Sequence, residues 1–307
     1  MTIAHPHGRG RLCHIHIMER NQMTLLEEKR KRLEDLLRDL SGLAVAYSGG
    51  VDSTFLLRAA AEVLGRQRVL AVTAVSDLYP TRELDDAKAL AAEIGVRHVL
   101  IETDELGIEG FAANPPDRCY HCKRELFREV AEVAGRHGFE TIADGANTDD
   151  VADWRPGLRA AAELGVRSPL KEAGLTKTDI RAISRELGLR TWDKPAKACL
   201  ASRFPYRHRI TAEALERVAA AEEYLAGLGL RQYRVRHHGT TARIEVPPEE
   251  VARLAAPGVR EDVVAAFKHI GYTYVTLDLE GYRSGSMNED LPEAGDATGA
   301  SEGKGAE

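Results

Sequence analysis

The sequence predicts an α/β chain: a doubly wound parallel sheet followed by a smaller C-terminal α+β domain. Three observations predict it. Short apolar runs alternate with amphipathic helical stretches through residue 187, the pattern of a parallel sheet with helices on both faces. The first apolar run ends in a glycine turn that opens a helix. After Pro205 the order changes to helix, hairpin, two helices and a strand. A length of 307 residues fits about two domains at roughly 150 residues each.

The elements follow from the residues. Apolar residues at helical spacing predict a helix over 24–39, and Gly-Leu-Ala-Val-Ala-Tyr-Ser at 42–48 predicts a buried strand. SGGVDS then leads into a helix carrying Leu56, Leu57, Ala60 and Val63. Strand 68–75, helix 81–94, strand 97–103, helix 120–135, strand 140–144 and helix 177–187 complete the alternation. Beyond it the sequence predicts helix 212–228, strands 231–237 and 241–246, helices 248–255 and 259–270, and strand 272–280. The expected domains are a flexible extension at 1–23, a larger α/β domain at 24–204, an α+β domain at 205–284 and a disordered acidic tail at 285–307. No internal repeat is visible.

Composition excludes several classes. Hydrophobic residues at 43% argue against disorder, and no apolar run reaches the about 18 residues of a membrane-spanning helix. The N-terminus has no apolar signal core, so a cytoplasmic protein with reduced thiols is expected. The net charge of −6 is uneven: residues 284–307 hold six acids against Lys304, leaving the body at −1. A near-neutral body does not suit a long polyanion, so no nucleic-acid partner is expected. From Arg203 to Arg243, however, eight arginines face four glutamates, an excess that suits a small anionic ligand.

Ser48, Gly49, Gly50, Asp52 and Ser53 lie between a buried strand and a helix. The glycines permit close backbone approach, and the helix start offers free N–H groups to an anion. Two hydroxyls add donors. No Walker A pattern occurs. Cys119 and Cys122 form a C-x-x-C pair and Cys199 lies far downstream, an arrangement that suits metal ligands or a reactive thiol better than disulfides in a reducing compartment. Cys13 sits among His5, His7, His14 and His16 in the extension. That set reads either as a metal site or as an untethered segment upstream of a start at Met18 or Met23.

SGGVDS resembles the fingerprint of the PP-loop ATP pyrophosphatases, a HUP-like family. The resemblance implies cleavage of ATP between the α and β phosphates, adenylation of a substrate oxygen, and displacement of AMP by a nucleophile. It implies Mg²⁺ held with help from Asp52, and nucleotide contacts by Asp144, Gly145, Asn147 and Lys171. Three further segments, NPPDRCYHCKRELF, DKPAKACLASRFPY and RVRHHGTTARIEV, resemble the LarE group of ATP-dependent sulfur transferases over roughly residues 24–285. That resemblance makes Cys199 the sulfur nucleophile, with Lys194, Lys197 and Arg203 as neighbours able to favour a thiolate. It also places Cys119 and Cys122 with Cys199 on a 4Fe-4S cluster that permits repeated turnover. A zinc site completed by His121, or no metal, stays open. The implied substrate is pyridinium-3,5-biscarboxylic acid mononucleotide, and the implied assembly a homo-oligomer.

On the substrate side, Arg234 and Arg236 are two apart on one strand and share a face, which suits phosphate or carboxylate. Arg243 and Glu245 fall on the same polar face of the paired strand. Arg203 joins them as an expected anion ligand. Glu222 lies on the apolar stripe of its helix, where a carboxylate needs a metal ion or an arginine partner. Three other functions share parts of this pattern: a PP-loop tRNA thiolation enzyme, an ammonia-dependent amidating synthetase of the NAD or GMP synthetase kind, and a non-enzymatic adenine-nucleotide-binding protein.

Overall fold

The structure, a computed structural model, describes residues 9–289 apart from 77, 153–155, 196, 197 and 284, with side chains from Met23 onward apart from those of 81, 151 and 152. The acidic tail beyond 289, His5 and His7 of the extension, and Lys197 beside Cys199 lie outside the described residues, as do the side chains of Cys13, His14 and His16. Two compact units emerge, each built from three stretches of chain. The first comprises residues 1–75, 81–103 and 123–196, and the second 76–80, 104–122 and 197–307.

In the first unit, helix α1 (Arg9–Arg38) precedes strand β1 (Leu43–Ala46), helix α2 (Val51–Leu64), strand β2 (Val69–Val75), helix α3 (Thr81–Ile94) and strand β3 (Arg97–Glu102). Helix α4 (Arg118–Arg136) begins in the second unit and continues in the first from Lys123. Strand β4 (Ile142–Ala143), helix α5 (Pro156–Glu163), the single turn α6 (Pro169–Glu172) and helix α7 (Lys177–Glu186) complete it. Helix α1 starts earlier than the predicted residue 24, because no glycine or proline follows Gly10 to interrupt it. The predicted strand 140–144 shrinks to two paired residues; beyond them, Asp144 N–H bonds the Arg167 carbonyl and Arg167 N–H bonds that of Ile142.

The sheet order is β3-β2-β1-β4, all parallel. Alternation sorts its side chains into two cores. Leu43, Val45, Val69 and Ala71 face one cluster with Leu33, Leu37, Phe55, Leu56, Ile180 and Ile183, from α1, α2 and α7. Ala44, Leu70, Val72 and Ile101 face the other, with Val130 and Val133 of α4. Both faces are covered, as a parallel sheet requires. The chain leaves β1 toward β2 on one side and returns through β4 on the other, so the carboxyl end of β1 is the sheet's switch point, where such folds place ligands.

In the second unit, helix α8 (Ala212–Gly227) precedes strand β5 (Arg234–His238), strand β6 (Thr241–Glu245), helix α9 (Pro248–Ala255), helix α10 (Val259–Ile270) and strand β7 (Tyr274–Leu277). Strands β5 and β6 form an antiparallel hairpin, and α9 and α10 carry the chain across to β7, which pairs parallel with β6. The sheet is therefore mixed. Val235, Ala242 and Ile244 meet Leu225, Phe267 and Tyr272 in its core. A second apolar cluster joins Leu78, Phe111, Leu200, Phe204 and Leu215, with Cys122 and Cys199 packed against it.

Candidate nucleotide site and candidate sulfur site

The phosphate loop sits where the switch point predicts. Gly49 has φ +68°, and a Cβ there would meet the Ala87 Cβ at 2.8 Å, so only glycine fits. The Ser48 and Ser53 hydroxyls lie 3.1 Å apart, and Ser48 N–H donates to Ser53 Oγ at 3.3 Å. Gly50 caps α2 without a side-chain hydrogen bond, leaving the first-turn N–H groups to an anion. A Cβ on Gly145 would stand 2.9 Å from Ser53 N and 3.1 Å from its Cα. The backbone after β4 is thus pressed onto the first turn of α2.

Around the loop the carboxylates are already organised. Asp52 Oδ2 pairs with Lys177, while its buried Oδ1 has no partner among the described residues. Asp144 Oδ1 accepts from Ser168 Oγ at 2.8 Å and from Ala146 N–H at 3.1 Å. Asn147 is buried; its side-chain oxygen accepts from Asp149 N–H, so it shapes the turn after β4. Lys171 ties its own N–H to the Ala146 carbonyl at 3.1 Å. Lys194, expected beside the thiol, instead directs its ammonium to Glu83 at 2.8 Å, Asp86 at 3.3 Å and the Gly49 carbonyl at 3.5 Å. The sequence reading missed Lys177: its pairing with Asp52 joins residues far apart in the chain and leaves no local pattern.

Cys119, Cys122 and Cys199 belong to the second unit and form no disulfide with one another: Cys119 is exposed, Cys122 and Cys199 half-buried. Cys119 and Cys122 occupy the first turn of α4. Cys199 precedes the tight turn Leu200–Arg203, and Leu200 N–H bonds the Leu78 carbonyl at 3.0 Å. Next to Leu78 stands Tyr79, which the sequence reading also missed. Burial of its hydroxyl, then the charges of Cys199, Cys122, Glu105 and Cys119, raise its phenol well above the ordinary value, although the residue as a whole leaves 41% of its surface open. All three sulfurs therefore lie within electrostatic reach of one hydroxyl. Among the described residues no three His, Cys, Asp or Glu side chains gather tightly enough for a single metal ion. His121 faces Asp117 at 3.7 Å and packs edge-on to Tyr120.

The arginine-rich segments resolve into a buried network. Arg203 Nε and Nη2 donate to the two oxygens of Glu222 at 2.8 and 2.9 Å, with both side chains nearly closed to solvent. Val235 N–H donates to the same carboxylate at 3.0 Å. Arg203 Nη1 reaches the carbonyls of Ala198 and Cys199 and the Ser202 hydroxyl. Glu222 thus has the arginine partner that its place on the apolar stripe demands, and Arg203 holds the backbone of Cys199 rather than presenting a free fork. Arg234 and Arg236 do share a face, but both are buried, not solvated. Arg236 donates to Glu245 at 2.7 Å, Ser286 Oγ at 2.9 Å and the Ser202 carbonyl at 2.9 Å; its Nε has no hydrogen-bond partner among the described residues. Arg234 lies over the Tyr282 ring, and burial, then Arg203, pull its guanidinium below the ordinary value. Both effects penalise its charge, and both would be relieved by an anion.

The chain is similar to several known proteins. The NAD synthase family matches residues 26–113, the stretch that carries the loop. An uncharacterised protein of Synechocystis is 46% identical over 87% of this chain and 99% of its own length. The pyridinium-3,5-bisthiocarboxylic acid mononucleotide synthase of Lactiplantibacillus plantarum is 41% identical over 90% of this chain and 99% of its own. An uncharacterised protein of Methanocaldococcus jannaschii is 29% identical over 79% and 91%.

Proposed function

The chain belongs to the LarE family of PP-loop enzymes, that of the pyridinium-3,5-bisthiocarboxylic acid mononucleotide synthase, and on that premise we propose that it is an ATP-dependent sulfur transferase of nickel-pincer cofactor biosynthesis. The substrate is pyridinium-3,5-biscarboxylic acid mononucleotide. One carboxylate oxygen attacks the α phosphorus of ATP, pyrophosphate leaves, and the acyl adenylate then accepts sulfur with loss of AMP. The observation that carries this reading is a complete SGGxDS loop at a sheet switch point in a chain that matches the synthase almost end to end.

Each group has a role. The first-turn N–H groups of α2 and the Ser48 and Ser53 hydroxyls bind the departing pyrophosphate. Asp144, Gly145, Asn147 and Lys171 shape the nucleotide's surroundings. Asp52 fits a Mg²⁺ ligand, since one oxygen is buried and unpartnered; the ion, when bound, neutralises charge on the leaving group. Lys177 holds the other oxygen and is placed to follow the phosphate charge. Where no cluster is bound, Cys199 is the sulfur nucleophile: its thiolate displaces AMP to form a thioester, and loss of the Cys199 α proton with cleavage of its Cβ–Sγ bond releases the thiocarboxylate and leaves dehydroalanine. Arg234 and Arg236 bind the substrate's anionic groups, supported by the orphaned Arg236 Nε. Arg203 and Glu222 act as a pair that fixes the Cys199 backbone and the start of β5.

Cys119, Cys122 and Cys199 are the residues that would hold a 4Fe-4S cluster. The donor set is soft thiolate, the ligand type that such clusters take. Bound there, a cluster would supply sulfide for transfer, so that the cysteines need not be consumed. We further read the protein as a cytoplasmic homo-oligomer; no described helix is long and apolar enough to cross a membrane.

The test combines ATP with the biscarboxylated mononucleotide under anaerobic conditions. The wild type is expected to form AMP, pyrophosphate and thiocarboxylate, whereas Cys199→Ala forms pyrophosphate without thiocarboxylate. Undiminished thiocarboxylate from Cys199→Ala would refute the assignment, as would no AMP from the wild type. Iron and acid-labile sulfide in the same preparation, with a Cys119→Ala variant alongside, decide the cluster. About four irons per chain, lost in the variant, support it; no iron in the wild type removes it.

A further inference from the structure

A cleft of about 380 Å³ opens in the first unit at the amino ends of the strands, the opposite end of the sheet from the phosphate loop. Arg66, Arg68, Arg97, His137 and Phe139 line it, with Glu140 as its one carboxylate. Its volume falls in the range of small-molecule pockets. The three guanidiniums come from two segments: the tight turn after α2 and the first residue of β3.

The arginines of this unit divide into those with a carboxylate partner and those without one among the described residues. Arg30, Arg38, Arg58, Arg128, Arg167 and Arg190 each pair with a carboxylate. Arg66, Arg68 and Arg97 pair with none among the described residues, Glu140 included. They are nevertheless held in place. Arg68 Nε donates to the Leu64 carbonyl at 2.7 Å. Arg97 Nη1 meets His137 Nδ1 at 3.0 Å. Arg66 lies flat against Gly95, where a Cβ would approach its guanidinium within 3.2 Å. The floor is equally fitted: a Cβ on Gly42 would meet the Phe139 ring at 3.2 Å and the Arg68 carbonyl at 3.3 Å. Three fixed like charges around one cavity repel each other, and a bound polyanion reverses that cost while using their planar forks.

We propose that this cleft is a second ligand site, distinct from the phosphate loop, that binds a small molecule through a phosphate or pyrophosphate group. The guanidiniums take the anion, and the half-buried Phe139 offers an apolar wall to the rest of the molecule. The site does not rest on the sulfur-transfer reading and stands or falls separately.

Inorganic pyrophosphate titrated calorimetrically into the full chain tests it. The wild type is expected to show two binding events. The double variant Arg66→Ala/Arg97→Ala loses one, with its affinity reduced at least about tenfold, because two of the three charge-assisted contacts are gone. Gly145→Ala, which disturbs the loop, loses the other. The lost event in the double variant should also be the more salt-sensitive one. The arginines are exposed, so the double variant should keep the wild-type circular dichroism and melting temperature. A single event abolished by Gly145→Ala overturns the proposal, as does a double variant with the wild-type isotherm.

Discussion

At the residue scale, the phosphate loop and the arginine network differ in how they depend on single atoms. Gly145 leaves no space beside Ser53 N, which sits at the start of α2. Gly145→Ala must therefore push the loop or the β4 connection, at about 1–3 kcal/mol of overpacking. ATP cleavage is expected to fall at least tenfold with the fold retained; initial rates together with a urea titration check this, and a variant of wild-type rate contradicts it. The Arg203–Glu222 pair is the opposite case, two charges buried together. Arg203→Met leaves Glu222 uncompensated and should lower stability by about 3–5 kcal/mol, measured by denaturant unfolding. The SGGVDS loop was legible because adjacent residues build it. Glu222's need for a partner was legible from its stripe. Lys177 and Tyr79 were not, since each reaches its site through tertiary folding alone.

Elements were read best where the helical period is clear. Helix α3 and helices α9 and α10 begin and end where their patterns predict. Strand β4 was overread: ETIAD is apolar enough for a strand, but after two residues the ladder passes to the isolated partner Arg167, a contact no alternation encodes. The single turn α6 was missed, being too short for a helical period to show, and α5 was missed as well. Two devices fix the region after β4. Helix α7 starts in a capping box between Thr176 and Asp179, and Asp179 also takes Lys29 of α1 at 2.6 Å. Thr176→Ala is expected to cost about 1 kcal/mol in the same unfolding assay. Glu172 is held below the usual carboxylate range, first by its hydrogen bonds from Arg167 and then by the Ser168 N–H. A carboxylate whose folded pKa is depressed contributes stability above its unfolded value, lost as pH falls through the folded one. The pair is partly exposed, so the contribution is modest. Wild type minus Arg167→Met stability should accordingly shrink as pH drops below the ordinary glutamate value of 4.5; a difference constant down to about pH 2.5, roughly two units lower, contradicts this.

Across the whole molecule, the division of chemistry follows the division of cores. The loop, Asp52, Lys177 and Asp144 belong to the first unit; the thiols, Arg203, Glu222 and the β5 arginines belong to the second. The chain passes between the units five times, so each is assembled from distant stretches, and the predicted boundary near residue 204 could not expose that the Cys119 and Cys122 segment belongs with Cys199. Separate cores make separate responses measurable by hydrogen exchange. ATP with Mg²⁺ at about one hundred times its Kd should add about 2.7 kcal/mol to the state that binds it, slowing exchange in β1, the loop and the first turn of α2. Arg203→Met should speed exchange in 199–204 and 234–245, where the broken pair had tied the Cys199 carbonyl and the Val235 amide. The same variant should keep the ATP-induced protection of the loop, because none of its lost contacts lies in the first unit. Loss of that protection in Arg203→Met would show instead that the second unit's buried network sets the nucleotide site, and Arg203 would then act on adenylation as well as on the Cys199 backbone it holds.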